Sequence, residues 1–263
     1  MKDTGKETIR VTFLGTGTSI GVPVITCDCP VCISDDPRDK RMRTSAMIEV
    51  SGRTFVIDCG PDFRHQMLRE RVTNLDAVLF THEHRDHIAG LDDVRAFNYV
   101  LNKKIDVYGT QQVIDAIRIE FPYIFSESRY FGAPQLNIHC ISDQPFDVHG
   151  VTVIPIRVLH EALPVTGFRI GDFTYITDAS KITQKELDKV KGSRIVVLNA
   201  LRNSKHVSHF SVPEAVAILE ELAPEAGYLT HLSHFAGLHE EVNKKLPSFV
   251  RLAYDGLVVE IAK

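Results

Sequence analysis

Hydrophobic and polar residues alternate over Ile9-Arg10-Val11-Thr12-Phe13, short apolar-rich runs follow at 45–50 and 54–58, and these patterns predict strands at 9–14, 45–50 and 54–58. The Ser51-Gly52 pair between the last two marks a hairpin. Leu75-Asp76-Ala77-Val78-Leu79-Phe80 is a nearly continuous apolar run and reads as a buried strand. Further strands are expected at 104–109, 136–141, 151–158, 166–170, 173–176, 194–198 and 228–230. Between them the period lengthens. One helix carries Phe63, Met67 and Leu68 on one face, and another, from His87, sets Ile88, Leu91, Val94 and Phe97 at three-residue steps. Helices are also expected at 111–121, 184–191 and 239–245, and after Ser211, which has proline in the first turn and Glu214 three residues on. The aromatic stretch 123–134 reads as a loop over a site, a rim or lid. Asp255-Gly256 predicts a terminal hairpin.

Short hairpins among helical segments predict an α/β (α+β) chain in two halves of β-then-α units, with sheets in the middle and helices outside. No linker composition divides the 263 residues, so a single domain over 1–263 is expected, with a metal-binding loop insertion at about 20–43. At 44% hydrophobic and 24% charged residues, the chain is ordinary globular protein. A net charge of −4 argues against an extended nucleic-acid or anionic-membrane surface, yet permits a small phosphorylated substrate at a local positive centre. The polar start Met1-Lys2-Asp3-Thr4 lacks a signal-peptide core, and no stretch has the apolar length of a membrane span. A soluble, cytoplasmic protein with no membrane partner is the expectation. Oligomeric state is open, a homodimer included.

Thr81-His82-Glu83-His84-Arg85-Asp86-His87 places three imidazoles and a carboxylate between a buried strand and a helix. Such nitrogen and oxygen donors suit zinc, iron and manganese. In an extended stretch, positions two apart share a side, so His82 and His84 can face one ion, with Asp86 and His87 placed for a second. His160, Asp178 and His231 each close a β-like run, the position the opening motif also occupies. Cys27, Cys29 and Cys32 crowd into six positions, which reads as metal binding rather than a disulfide framework, and His234 is the candidate fourth ligand. Cys59 reads as a free thiol near the site and Cys140 as a strand residue. Lys205-His206-Val207-Ser208-His209 supplies further imidazoles.

The spacing Thr-His-x-His-x-Asp-His, followed by single His, Asp and His at later strand ends, resembles the metallo-β-lactamase superfamily. The resemblance implies a four-layer αβ/βα sandwich of two mixed sheets with the site along one edge. By position, one ion would take His82, His84 and His160 and the other Asp86, His87 and His231, with Asp178 bridging them. Asp58 matches a carboxylate that orients ligating histidines. The cysteine trio with His-x-x-His near the end of the chain resembles the branch containing the phosphoribosyl 1,2-cyclic phosphate phosphodiesterase. There, Cys27, Cys29, Cys32 and His234 would hold a structural zinc. His209 matches that branch's general acid or phosphate-binding histidine, with His206 the runner-up, and Asp86 counts as both catalytic group and ligand.

Two divalent ions (zinc or manganese, with iron also admitted) lower the pKa of a shared water and neutralise a phosphoryl oxygen, so that hydroxide can attack phosphorus. The resemblance therefore implies a binuclear phosphodiesterase acting on a cyclic phosphate, a nucleotide or a short oligonucleotide. The alternatives are a thioester or lactone hydrolase, a tRNA-processing nuclease, and a non-catalytic cofactor-biosynthesis relative. Metal content separates the enzyme from the last: roughly three ions per chain supports catalysis, and roughly one supports a purely structural metal.

Overall fold

In the computed structural model, which describes residues 8–126 and 132–262, the apolar runs form strands whose two faces enter different cores. Phe55 and Ile57 join an inner cluster, while Val56 between them joins an outer one. The same division separates Ile195 and Val197 from Val196 and Leu198. Successive side chains on a strand point to opposite faces, so a run apolar on both belongs to a sheet covered on both sides.

The first sheet holds β1 (Ile9–Gly15), β2 (Ser45–Val50), β3 (Arg53–Ile57), β4 (Ala77–Leu79), β5 (Ile105–Gly109) and β6 (Leu136–Cys140), side by side in that order. The second is built from β7 (Phe146–Val148), β8 (Val151–His160), β9 (Leu163–Ile170), β10 (Phe173–Ile176), β11 (Lys181–Ile182), β12 (Ile195–Asn199), β13 (Ala226–Thr230) and β14 (Val250–Leu252). Its order is β11-β8-β9-β10-β12-β13-β14, with β7 paired to β8. β15 (Val258–Ile261) then returns to the edge of the first sheet beside β1. Both sheets are mixed: β1 to β3 run antiparallel and β3 to β6 parallel, and β8 to β10 run antiparallel and β10 to β14 parallel along the path.

Phe13, Ile48 and Phe55 meet Val153, Phe168 and Tyr175 between the sheets. Helices Phe63–Arg69 and Gln111–Glu120 cover the outer face of the first sheet through Phe63, Met67, Val113 and Ile117. Val212–Leu222 and His239–Asn243 cover the second through Val212, Leu219 and Val242. The result is the expected four-layer α/β sandwich. Ser211 and Glu214 form the expected capping box, Ser211 N donating to Glu214 Oε2 at 2.9 Å. No helix among the described residues is long and apolar enough to cross a membrane.

Three local expectations are corrected. The terminal segments do not form a hairpin: β14 pairs with β13 and β15 with β1, so the Asp255-Gly256 turn carries the chain from one sheet to the other, where Gly256 N donates to Phe13 O. The helix expected from His87 is three short pieces, Arg85–Ile88, a 3-10 turn at Leu91–Val94 and Arg95–Leu101. Residues eclipse every three positions in a 3-10 turn, which suits the three-residue steps of Ile88, Leu91, Val94 and Phe97. Gly90 lies at the break because a Cβ there would sit 2.0 Å from Gly60 O. Leu68 is 60% exposed rather than packed beside Met67. Of the expected lid over 123–134, Tyr123 lies in helix Pro122–Phe125, and 127–131 fall outside the described residues.

The irregular stretch after β1 is docked onto the C-terminal segments. Val22 pairs with Arg41, and Gly17 bridges to Arg43 and Leu232. Buried Arg41 donates through Nη1 to Thr16 Oγ1 at 2.8 Å and to Ala253 O at 2.6 Å. Its Nη2 lies 3.2 Å from His239 Nδ1, and His239 N donates to Asp39 Oδ1 at 2.8 Å. A guanidinium only donates, so His239 Nδ1 must accept and the ring is neutral. Burial first, then the Arg41 and Arg38 charges, push His239 down to about 4. A folded pKa below the unfolded value of about 6.5 means that the unfolded chain binds more protons in between, so stability falls as pH drops through that window. Between pH 7 and pH 5 the wild type should therefore lose about 2 kcal/mol more stability than His239→Gln, read from urea unfolding at both pH values.

Candidate metal centre

The residues that end or follow β3, β4, β8, β10 and β13 meet at one edge of the sandwich. Asp58 follows β3, the 81–87 turn follows β4, His160 is the last residue of β8, Asp178 lies just past β10 and His231 follows β13. Three of them, Asp58, Asp178 and His231, have φ of 61°, 56° and 56°. Left-handed backbone at a non-glycine residue costs of order 1 kcal/mol and persists where the surroundings over-determine it. Glycines on the neighbouring turns let the backbones close in: a Cβ at Gly60 would lie 2.0 Å from Asp86 O.

The ligand-type atoms of His82, His87 and Asp178 lie within 4.8 Å of one another, as do those of His160, Asp178 and His209. The His84 ring is 4.6 Å from His82 and 5.2 Å from His160, centroid to centroid. Asp86 Oδ2 is 3.2 Å from His87 Nε2. Asp178 stands between the two groups: Oδ2 lies 3.4 Å from His87 Nε2, and Oδ1 lies 3.2 Å from both His209 Nε2 and His231 Nε2. All seven sequence-selected residues thus converge. His209 joins them within ligand distance of Asp178, while His206 is one ring further out, 5.5 Å from His209.

The far nitrogens of His87 and His160 are committed. Asp58 Oδ2 accepts from His87 Nδ1 at 2.7 Å and from Thr81 Oγ1 at 2.8 Å, and His160 Nδ1 donates to Ser208 O at 2.7 Å. His82 Nε2 and His87 Nε2 are buried without a hydrogen-bond partner among the described residues. Leaving a buried imidazole nitrogen unpaired costs about 1–3 kcal/mol, and a cation at those lone pairs removes the cost. The charges agree with this reading. Burial would lower the His87 pKa, yet Asp178, Asp58 and Asp86 raise it well above the ordinary value. Three carboxylates around one imidazole call for positive charge at that point. Burial pushes His231 down to about 4 and lowers His82, keeping both neutral, as ligating imidazoles must be. Asp178 is buried, which alone would raise its pKa, but the His231 and His87 rings hold it well below the carboxylate range. Divalent cations fit this donor set.

A second cluster lies in the docked loop. The sulfurs of Cys27, Cys29 and Cys32 sit 3.2, 3.4 and 3.5 Å from His234 Nδ1. Ideal zinc–sulfur and zinc–nitrogen bonds in a tetrahedron give a sulfur–nitrogen edge of about 3.6 Å, so these atoms already trace one face set of such a site. Val24 N donates to Cys32 Sγ at 3.3 Å. Small apolar packing around Val22, Val31 and Leu238 closes the cluster. Cys59 is fully buried, its thiol pushed up by burial, and Cys140 is exposed on β6.

Sequence reading did not single out Thr18, whose Oγ1 lies 3.3 Å from His231 Nε2, or the Ser208 carbonyl that holds His160. The turn Gly15-Thr16-Gly17-Thr18 hints at the first. Nothing could signal the second, because any residue carries a carbonyl.

A beta-lactamase superfamily domain matches residues 53–232. An octanoyltransferase of Porphyromonas gingivalis is 41% identical over 252 residues, 95% of this chain and 51% of that protein. A ribonuclease Z of Mycobacterium marinum is 28% identical over 179 residues, 62% of this chain and 58% of the relative. The chain therefore spans only about half the length of these curated relatives. A solved structure described as a new diphosphatase from the PhnP family superposes with a TM-score of 0.91 at 38% identity, covering 97% of each chain.

Two substitutions separate the clusters. Cys32→Ser should cost about one ion per chain and leave the rest bound, whereas Asp178→Asn should strip most of the metal outside the cysteine loop. Elemental analysis of both purified variants reads the difference.

Proposed function

The chain belongs to the beta-lactamase superfamily, and within it to the PhnP family, and we propose that it is a binuclear metallohydrolase that cleaves a small phosphodiester. The observation that carries this reading is Asp178, a buried carboxylate that falls within ligand distance both of His82 and His87 and of His160 and His209. A carboxylate so placed suits bridging two ions better than completing one. His82, His84 and His160 would hold one ion and Asp86, His87 and His231 the other. Bound together, two such ions supply Lewis-acid stabilisation of phosphoryl oxygens and a lowered water pKa.

The chain's own residues do the rest. Asp58 and Ser208 O hold His87 and His160 in the orientation that points their outer nitrogens into the site. Ser208 Oγ lies 2.9 Å from His209 Nδ1, steadying a ring whose side chain is 11% exposed at the rim. Placed there, His209 would deliver a proton to the departing alkoxide. A cyclic phosphate, a nucleotide or a short oligonucleotide fits this chemistry. Hydrolysis of a diphosphate linkage is a second reading, favoured by the diphosphatase relative at 38% identity. Thioester hydrolysis is the competing reading from the same ligand types. We read the cysteine loop as a structural zinc site within the same domain, and the partner as a small phosphorylated molecule.

The test is an assay of the metal-reconstituted protein against bis-p-nitrophenyl phosphate, cyclic nucleotides, a ribosyl cyclic phosphate, a nucleoside diphosphate and a thioester. Turnover of a phosphate ester is expected, and a filled metal site that cleaves none of the phosphates would refute the proposal. His209→Ala should lower turnover about 10²–10⁴-fold on alkoxide leaving groups and far less on p-nitrophenolate, without loss of metal.

A further inference from the structure

Thr81 precedes the first histidine of the metal turn and makes four hydrogen bonds. Its N–H donates to Asp58 Oδ1 at 2.8 Å and its hydroxyl to Asp58 Oδ2 at 2.8 Å. The same Oγ1 lies 2.9 Å from His82 Nδ1, and its carbonyl accepts from Thr166 N of β9 at 3.0 Å. Thr81 is 1% exposed and Asp58 and His82 are fully buried, so water does not compete for these bonds.

The directions follow from the proton count. A hydroxyl has one hydrogen, and beside a buried carboxylate that accepts only, it points at the carboxylate. Oγ1 then has only lone pairs for His82, so His82 Nδ1 must carry the hydrogen and donate. A neutral ring protonated at Nδ1 has its lone pair on Nε2, the buried atom without a partner. His87 Nδ1 also donates to this carboxylate, directly, at Asp58 Oδ2. One carboxylate therefore orients two rings, one by contact and one through a hydroxyl.

We propose that Thr81 is a positioning residue that relays Asp58 to His82, locking His82 as its Nδ1–H tautomer and presenting Nε2 to the metal centre. The inference rests on the metal-centre reading above, but the tautomer itself exists without any ion. The carbonyl bond to Thr166 ties this relay to the second sheet, the sheet that carries His160, Asp178 and His231.

The experiment compares wild type with Thr81→Val, which keeps shape and loses the hydroxyl, and Thr81→Ser, which restores it. Long-range ring nitrogen–proton spectra of the metal-free proteins report the His82 tautomer, and zinc titration against a chromogenic chelator reports affinity. Expected are a single Nδ1–H form in wild type and Thr81→Ser, and a tautomer mixture in Thr81→Val. With it should come a 10- to 100-fold weaker affinity for one ion only, the cysteine-loop ion being unchanged. An unchanged tautomer and affinity in Thr81→Val would overturn the proposal, as would Thr81→Ser behaving like Thr81→Val. Should wild type bind no zinc outside the cysteine loop, the metal-centre reading fails, and the ring spectra alone still decide the relay.

Discussion

A buried carboxylate is tolerated only where its charge is answered, and Asp178 is answered by imidazoles on every side. Around it the chain places Asp58 and Asp86, two more carboxylates sharing one histidine, His87. So much negative charge at a dry strand-end edge is unfavourable unless cations reside there. The left-handed backbone at Asp58, Asp178 and His231 and the close approach of Gly60 to the 86–87 turn are local costs of holding that arrangement. The two-sheet sandwich offsets those costs: its three apolar clusters fix the five strand ends, and the site inherits their rigidity.

The same constraint explains how much could be read in advance. The ligand types are few, and each had to stand at a strand end, so the 81–87 motif, His160, Asp178 and His231 were legible from position and chemistry. The four-layer sandwich was implied by the resemblance that the 81–87 motif carries, and runs such as Phe55-Val56-Ile57, apolar on both faces, fit it. What stayed hidden was set by tertiary geometry. Whether Asp255-Gly256 closes a hairpin or crosses between sheets depends on which edge is open, and β1 offered one. The break at Gly90 depends on Gly60, thirty residues away in sequence and in contact in space. Ser208 acts through its carbonyl, which leaves no pattern, and Thr18 through a hydroxyl that only the glycine turn before it hints at.

The cysteine cluster and the strand-end site are physically connected. His234 lies three residues past His231, and the loop holding the thiols is docked through Arg41 onto Thr16, Ala253 and His239. Thr18, at the root of that loop, touches His231. An ion among the thiols would therefore brace the loop that borders the larger centre, which is the role structural zinc plays where a long irregular segment lacks a core of its own.

The proposed role of Asp178, to join two ions, is tested most directly by anomalous X-ray scattering at the zinc and manganese edges from metal-loaded crystals. Two peaks about 3.5–4 Å apart are expected, one against each Asp178 oxygen, and a third among the thiols. A single peak beside Asp178, or none, would contradict it.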